Sequence, residues 1–356
     1  MIRRFKASNF RCIEDADLSF SPGFNLIYGE NASGKTSLLE ALAYLGRGKS
    51  FRGATTSDLV KHGENEFVLF GESESAAGTH RIGVRNSREG LEVRVDGSSD
   101  GGAGALAAAL PLQVIDPEVH NLVAGGPEMR RRFLDWIAFH VEHEHLLTWR
   151  RFRRALRQRN AALKARSSAA AMRSWNTEFI DISLKLDESR RRALEGALET
   201  LEAYGQGLLG TEIGFDYQQG WNREKSLDEV LVEGAERELQ QGTTQYGPHR
   251  ADLRIRYDER QARKLVSRGQ QKLLASAMIL AAADTAQSAL ERPLLLLLDD
   301  PAAELDANAL QRLMDAIAAL GCQVVATSLE RAALVVPADA SVFHVEHGVL
   351  TPESAA

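Results

Sequence analysis

The pattern of apolar and polar positions changes several times along the chain and predicts both strands and helices. Residues 66–96 alternate apolar with polar positions, which is typical of β-hairpins. Further strands are predicted at 2–10 paired with 13–28, at 111–118, 212–222, 251–257 and 323–327, with a closing hairpin at 342–350. The Gly/Ala-rich stretch from Gly97 to Leu110 predicts a spacer.

Helical periodicity dominates the middle of the chain. Trp149, Phe152, Leu156 and Leu163 recur at steps of three, four and seven, and a second stripe runs over 175–197. With a Ser/Ala turn at 167–171 between them, these segments predict a helical hairpin. Other helices are predicted at about 226–240 and at 310–320. A further Ala/Leu-rich helix is predicted to follow the segment 264–272 and to end at about 287.

One stretch carries a recognisable phosphate-binding pattern. The apolar strand 24–28 leads into G-x-x-x-x-G-K-T, and a good helix former follows over 37–45. In that context the backbone N–H groups and the helix N-terminus cradle phosphates, Lys35 reaches the β- and γ-phosphates of ATP, and the Thr36 hydroxyl holds Mg²⁺. The predicted nucleotide-binding residues of this loop are Gly29, Glu30, Asn31, Ala32, Ser33, Gly34, Lys35, Thr36 and Ser37. The alternative is a Gly-rich turn that binds nothing.

A continuous apolar run, 294–298, ends in Asp299 and Asp300, which is typical of a central parallel strand with its charge at the carboxyl end. Asp299 is the predicted Walker B ligand of Mg²⁺, opposite Thr36. Asp300 is the predicted general base, and because Asp is one methylene shorter than Glu, we expect slow hydrolysis. The alternative is a strand end that simply meets solvent.

Composition narrows the class of protein. The chain has 356 residues, 44% hydrophobic and 26% charged, which suits one large or two ordinary globular domains. The longest aliphatic run is too short to span a bilayer, no secretory signal is apparent, and two cysteines make no disulfide framework, so we expect a cytoplasmic protein. With a net charge of −6, any nucleic-acid surface must be a local patch.

Two basic segments are candidates for such a patch. The loop 46–52 carries Arg47, Lys49 and Arg52, and its alternative is a solvated connection. The segment 150–173 holds nine Lys or Arg and no Asp or Glu, which differs from a mixed solvated face and suggests a polyanion such as DNA. The predicted DNA-contacting residues are Arg47, Lys49, Arg52, Arg150, Arg151, Arg154 and Arg157.

The segment Ser267-Arg268-Gly269-Gln270 precedes a helix upstream of Asp299 and resembles the ABC-type signature motif. The resemblance implies that Ser267, Gly269 and Gln270 bind the γ-phosphate of ATP on a partner subunit. Segment 303–306 is similar to a D-loop, and Gln113 is the candidate Q-loop residue, with expected roles in catalysis and Mg²⁺ sensing. The switch position holds Thr327-Ser328 where ABC ATPases have His.

Over nearly its whole length the chain resembles the RecF family of bacterial DNA repair ATPases. The resemblance rests on co-linear motifs at 9–11, 35–41, 48–52, 126–127, 131–135, 158–160, 247–252, 267–270 and 298–300. Two positions depart from the family pattern. Ala32 stands where Gly is common, and Val266 stands where Leu is usual.

The resemblance implies an α/β fold, an ABC-type ATPase head similar to SMC heads, without a long coiled coil. Lobe I, with a mixed central sheet, would comprise residues 1–118 and 288–356, and lobe II residues 119–287. ATP would join two heads into a clamp on DNA at single-strand gaps and duplex junctions, with weak DNA-stimulated hydrolysis. The family works with RecR and RecO, favours RecA loading, and supports replication and the SOS response. Arg11 is expected to touch the nucleotide.

Two other classes share parts of this pattern. The nucleotide-binding subunit of an ABC transporter has the same Walker and signature motifs, but it would be expected to have a His switch and membrane partners. A P-loop nuclease-type ATPase would need an acidic metal-binding cluster in an added domain.

Overall fold

The computed structural model describes residues 1–75, 78–303 and 305–353, and the chain forms two compact units. The first comprises Met1–Val119 together with Glu291–Ala356, and the second is His120–Leu290. The strands in chain order are β1 (Ile2–Phe10), β2 (Ile13–Ser19), β3 (Phe24–Tyr28), β4 (Glu66–Ser75), β5 (Gly78–Ser87), β6 (Gly90–Val95), β7 (Leu112–Ile115), β8 (Ile213–Gln218), β9 (Asp252–Tyr257), β10 (Arg260–Gln261), β11 (Leu295–Leu298), β12 (Gln323–Ser328), β13 (Ser341–Glu346) and β14 (Val349–Glu353). The helices are α1 (Lys35–Arg47), α2 (Thr56–Leu59), α3 (Ala103–Ala109), α4 (Asn121–Ala124), α5 (Pro127–Val141), α6 (His145–Lys164), α7 (Ala169–Leu209), α8 (Leu227–Glu233), α9 (Ala235–Gln241), α10 (Ala262–Leu265), α11 (Arg268–Leu290) and α12 (Ala307–Leu320), with 3₁₀ turns at Pro248–Arg250 and Arg331–Ala333.

The first unit is organised around a six-stranded mixed sheet in the order β14-β13-β3-β12-β11-β7. All neighbouring pairs are parallel except β13 with β14. Every residue of β11 and β12 is buried, as expected for central parallel strands rich in Leu and Val. The carboxyl ends of β3, β12, β11 and β7 therefore meet at one edge, which is where ligands bind in such sheets.

A five-stranded antiparallel sheet, β2-β1-β4-β5-β6, completes the core of this unit. Its apolar face and helix α1 share one hydrophobic cluster with the six-stranded sheet. The buried Gln323 ties the two sheets together, because its side-chain oxygen accepts from the Ile2 N–H at 2.7 Å and its amide donates to the Ile2 carbonyl at 2.7 Å. Losing either bond would leave a buried backbone group unpaired.

The second unit is built on the antiparallel pair α6 and α7. Phe152 of α6 and Phe179 of α7 pack with ring centroids 5.8 Å apart, and Leu186 lies in the same cluster. The buried Arg159 of α6 donates to the Glu238 carboxylate at 2.6 Å. Strands β8, β9 and β10 form a small antiparallel sheet in this unit.

Helix α11 is long and apolar enough to cross a membrane by length and composition alone. However, 67% of its most apolar window is buried inside the protein. A helix in the core of a folded domain meets the same criteria, so this is weak evidence for a membrane span.

The α/β fold class, the hairpins within 66–96, the strand–loop–helix at 24–45 and the helical hairpin are confirmed. The segment 13–28 is not one strand, because Pro22-Gly23 separates β2 from β3 and the two belong to different sheets. The turn predicted at 167–171 is shorter, since α7 already begins at Ala169.

Two predictions about helices were wrong. The expected spacer at Gly97–Leu110 contains α3, whose sequence AGALAAA is dominated by the residue with the highest helix propensity. The single acidic helix expected near 226–240 is two short helices, α8 and α9, which meet at Gly234. Glycine has the lowest helix propensity after proline, so a break there is physically reasonable.

Candidate functional site

The loop between β3 and α1 adopts a conformation suited to binding an anion. Gly34 caps α1 with φ 114° and supplies no side-chain acceptor, so the first N–H groups of the helix are left for a ligand. The buried Ser33 hydroxyl finds no hydrogen-bond partner among the residues that the structure describes. Both observations fit a bound phosphate.

Lys35 lies folded over this loop. Its ammonium donates to the carbonyl oxygens of Gly29 at 2.6 Å and Glu30 at 2.7 Å, which leaves one of its three donors available. Desolvation lowers the pKa of Lys35, and the negative charges of Asp300 and Asp299 act in the opposite direction. The lysine therefore stands between the loop and the acidic end of β11.

Two positions of the loop show how closely its backbone is constrained. A Cβ atom at Gly29 would lie 2.3 Å from the Val345 carbonyl oxygen, so only glycine fits there. Ala32 has φ 64°, in the left-handed region that favours glycine. Alanine in place of the glycine that is common in the family therefore raises the free energy of the backbone at this position.

Asp299, Thr36 and Thr327 form a hydrogen-bonded cluster at the carboxyl edge of the sheet. The hydroxyls of Thr36 and Thr327 lie 3.0 Å and 2.9 Å from Oδ1 of Asp299. Burial raises the pKa of Asp299, whereas these two bonds and the charge of Arg52 lower it. The strand order accounts for the cluster, since β12 lies between β3 and β11.

The same cluster fits Mg²⁺. The hydroxyl of Thr36 and the carboxylate of Asp299 are hard oxygen donors, the type that Mg²⁺ prefers. Among the described residues there is no group of three or more His, Cys, Asp or Glu side chains that could hold a metal. Mg²⁺ is usually bound by one or two protein side chains together with phosphate oxygens and waters. The small donor set of Thr36 and Asp299 is consistent with that arrangement.

Asp300 has φ 48°, an uncommon left-handed conformation that Asp tolerates better than most residues. Its N–H donates to the Thr327 hydroxyl at 3.0 Å. At the predicted switch position Thr327 thus bridges the two acidic residues, whereas the Ser328 hydroxyl donates to the Glu330 carbonyl at 2.7 Å. The D-loop prediction includes Glu304, which lies outside the described residues.

The geometry does not support the predicted role of Gln113. Gln113 is buried in the middle of β7 and pairs with Leu296 of β11. Asp299 lies three residues beyond Leu296, just after the end of β11. That separation along a strand is about 10 Å. The Gln113 side-chain oxygen instead accepts a hydrogen bond from the Arg47 guanidinium at 3.1 Å. Arg47 is one of the predicted DNA-contacting arginines, and this bond engages its guanidinium.

Asp116 is the residue that β7 brings to the site. It follows Ile115, whose carbonyl accepts from the Asp299 N–H at 2.9 Å, so the two acidic residues stand side by side. Burial, and then the negative charge of Asp299, raise the pKa of Asp116 to about 6. The signal was present in the sequence, because Asp116 ends a short apolar strand just as Asp299 does.

Arg11 and Arg52 each interact with an acidic residue that the sequence interpretation had not paired with them. Arg11 forms a two-point ion pair with the buried Glu40, which also accepts from the Ser50 hydroxyl. The predicted nucleotide contact would have to share the guanidinium with that pair. Arg52 is exposed and its charge acts on Asp299, so it lies near the phosphate site as well as on the basic loop with the exposed Lys49.

In the second unit, the signature segment caps helix α11. The Ser267 hydroxyl accepts from the Gln270 N–H at 3.3 Å, and the Gln270 side chain accepts from the Ser267 N–H at 2.9 Å. This reciprocal pair is a capping box, a structural role that the sequence interpretation had missed. Ser267 and Gln270 remain exposed and Gly269 is half-buried.

The predicted basic surface on α6 is present. Arg150, Arg151, Arg154 and Arg157 are all exposed. Within the described part of the chain, no acidic side chain forms an ion pair with Arg151, Arg154 or Arg157, and Arg153 lies over the Trp149 ring at 5.1 Å. Exposed arginines without acidic partners fit contact with a phosphate backbone.

Comparison with known proteins agrees with this architecture. Residues 1–351 match the family model described as RecF/RecN/SMC N terminal domain. The chain is 36% identical over 356 residues to the DNA replication and repair protein RecF of Hydrogenovibrio crunogenus (strain DSM 25203 / XCL-2), covering 98% of each chain. It is 38% identical over 352 residues to the protein of the same name from Edwardsiella ictaluri (strain 93-146), again covering 98% of each.

Solved structures give the same fold. A structure of the recombination mediator protein RecF with ATP in the RecFOR pathway matches with a TM-score of 0.90 and 24% identity, covering 99% of this chain and 97% of the other. A Smc head bound to the C-winged helix domain of ScpA matches with a TM-score of 0.62 and 16% identity, covering 99% and 96%.

Proposed function

The chain belongs to the RecF family of DNA replication and repair proteins, and from this premise we propose that it is a DNA-binding ATPase of recombinational repair. ATP would close two copies into a clamp at single-strand gaps and duplex junctions, in the cytoplasm. The observation that carries the proposal is the approach of the Thr36 hydroxyl to the Asp299 carboxylate, 3.0 Å, beside Lys35 and an uncapped helix N-terminus. The family assignment leaves no support for a transporter subunit.

Each residue of the site has a proposed task. The loop 29–37 cradles the phosphates, Lys35 neutralises the β- and γ-phosphates, and Thr36 with Asp299 holds Mg²⁺. When bound, Mg²⁺ would neutralise charge on the phosphate oxygens. Asp300 orients the attacking water, and Thr327 holds both acidic residues in place through its single hydroxyl. Hydrolysis is expected to be slow and DNA-stimulated, with ATP acting as a switch.

The second half of the ATP site is proposed to come from a second molecule. Ser267 and Gly269 stand at the N-terminus of the 23-residue helix α11, where backbone N–H groups favour a γ-phosphate. The exposure of Ser267 and Gln270 supports contact in trans. In this arrangement the first unit acts as lobe I and the second as lobe II.

DNA binding is proposed for the arginines of α6, with Lys49 and Arg52 of the basic loop as a second contact. The exposed guanidiniums of Arg151, Arg154 and Arg157 favour the DNA backbone and carry no sequence preference. By family membership, we further propose cooperation with RecR and RecO in loading RecA, and support of replication and the SOS response.

The dimer proposal is tested by sedimentation with paired variants. Lys35→Met removes the phosphate-binding lysine. Ser267→Asp keeps a good helix cap but places negative charge opposite the γ-phosphate. Neither variant should dimerise alone with ATP, but their mixture has one complete composite site and should recover dimer. ATP-driven dimerisation of the Lys35 variant alone, or a mixture that never recovers dimer, would contradict the proposal.

The DNA proposal is tested by the salt dependence of binding. Replacing Arg151, Arg154 and Arg157 by Gln should flatten the slope of log K against log salt by about 0.9 for each lost phosphate contact. The matched control replaces Lys185, Arg191 and Arg192 by Gln, because these residues of α7 carry the same charge but pair with carboxylates. Equal slopes for the two triple variants would mean that the α6 arginines form a solvated helix face and do not contact the DNA backbone.

A further inference from the structure

The turn between β13 and β14 lies against the phosphate-binding loop, although the two segments are at opposite ends of the chain. Glu346 pairs with Val349, so His347 and Gly348 form a two-residue turn, with φ 47° and 80°. The Gly348 N–H donates to the Ser33 carbonyl oxygen at 2.8 Å. The turn thus holds one particular peptide group of the loop.

The approach is so close that it depends on glycines on both sides. A Cβ atom at Gly348 would lie 2.6 Å from the Cys12 carbonyl oxygen, and one at Gly34 would lie 3.3 Å from the Gly348 Cα. Real Cβ atoms essentially never approach backbone oxygen at 2.6 Å, so a side chain at position 348 would displace either this turn or the Cys12 peptide that it meets.

The pinned peptide has a direct connection to phosphate binding. In a planar trans peptide the C=O and the following N–H point in opposite directions. Because the Ser33 carbonyl points toward the turn, the Gly34 N–H points away from it, to the opposite side of the loop. Cradles for anions are built from such successive backbone N–H groups.

We propose that the β13–β14 turn is a positioning element for nucleotide binding, with Gly348 as its central residue. By holding the Ser33 carbonyl, Gly348 orients the Gly34 N–H for a phosphate oxygen. This inference rests on the proposed binding of ATP at the loop 29–37. It assigns a function to a hairpin that lies outside the sequence motifs of the phosphate site.

The test compares Gly348→Ala with Gly97→Ala. Gly97 follows Asp96 in a turn of nearly the same conformation, φ 51° and 83°, but a Cβ atom there has nothing within 4 Å. Both substitutions strain a left-handed position to a similar degree. Only Gly348→Ala should weaken binding of a fluorescent ATP analogue, by about tenfold for one lost hydrogen bond. Equal ATP affinity for the two folded variants would overturn the inference.

The wild-type protein provides a second measurement in case Gly348→Ala fails to fold. Coupling between two sites is reciprocal, so ATP should slow hydrogen exchange at 345–349 as well as at 29–37, and leave the turn at 95–98 unchanged. Protection of the loop without protection of the hairpin would overturn the inference. If the wild type bound ATP no more tightly than Lys35→Met does, the proposed function would fail instead. The two failures are therefore distinguishable.

Discussion

The Thr327 hydroxyl lies 2.9 Å from Oδ1 of Asp299 and accepts a hydrogen bond from the next residue, Asp300, at 3.0 Å. Its single proton is donated to the carboxylate, and one of its two lone pairs accepts the backbone N–H. Thr327 is fully buried. A neutral hydroxyl therefore links the two acidic residues, and by its hydrogen bonds we propose Thr327 as the residue at the switch position.

Thr327→Val should slow ATP hydrolysis while leaving ATP binding nearly unchanged. Valine has the same shape but leaves the Asp300 N–H and one Asp299 interaction unpaired, and unpaired buried groups cost about 1–3 kcal/mol. Single-turnover hydrolysis should fall by about tenfold or more. Thr327→Ser restores the hydroxyl and should recover most of the rate, and Ser328→Ala is the neighbouring control. A Val variant as fast as the wild type would remove Thr327 from the proposed mechanism.

Asp300→Asn should trap the ATP-bound dimer. The amide cannot accept a proton from water, but Asn tolerates the left-handed conformation observed at this position, φ 48°, so the fold should persist. Sedimentation after ATP addition should give a dimer that outlasts the wild-type dimer by the ratio of the hydrolysis rates. A variant that hydrolyses ATP at the wild-type rate would exclude Asp300 as the base.

Ala32→Gly should stabilise the protein. Ala32 adopts φ 64°, where a Cβ atom costs roughly 1–2 kcal/mol, and part of the gain is offset by the larger entropy of glycine in the unfolded chain. We expect a net gain of up to about 1 kcal/mol in urea unfolding. Ala105→Gly in helix α3 is the opposite control and should lose about 1 kcal/mol. A loss of stability at position 32 would mean that the methyl group contributes packing that outweighs the strain.

The sequence was sufficient where a local pattern determines the structure. The loop 29–36, the strand ending at Asp299 and the helical hairpin each depend on short-range spacing, and each was predicted. The role predicted for Gln113 lacks geometric support because its relation to Asp299 depends on the register between β7 and β11, which no local pattern encodes. Asp116 was overlooked although its own strand ends in a carboxylate, because only the pairing of β7 with β11 shows that it lies beside Asp299.

Contacts between distant segments account for the other omissions. Gly348 attracts no notice in the sequence, since a glycine in a hairpin turn needs no further explanation. Its contact with Ser33 follows only from the parallel pairing of β13 with β3. Likewise Ser267 fits both a signature motif and a helix cap, and the capping bonds became evident only from the geometry.

Asp116→Asn should stabilise the nucleotide-free protein at high pH more than at low pH. Burial and the nearby Asp299 raise the pKa of Asp116 from 3.8 to about 6, so its contribution to stability is fully present below about pH 4 and is lost as the pH rises through about 6. The loss amounts to about 3 kcal/mol at most. Thermal unfolding should show a clear gain in Tm for the Asn variant at about pH 8 and little change at about pH 4. A gain independent of pH would show that ionisation of Asp116 is not the cause.

Alkylation of Cys12 should report on nucleotide binding. Its thiol is exposed and lies 3.5 Å from the Ser37 hydroxyl in the first turn of α1, beside the loop that is proposed to hold phosphates. The other cysteine, Cys322, is buried, and burial raises its pKa to about 12, so it should react far more slowly.

Saturating ATP should therefore slow the modification of Cys12 by iodoacetamide, measured by mass spectrometry of the labelled peptide. In Lys35→Met the rate should be the same with and without ATP, because the phosphates are no longer held. If ATP leaves the wild-type rate unchanged while binding is demonstrated independently, the bound nucleotide does not cover the side of the loop on which Cys12 lies.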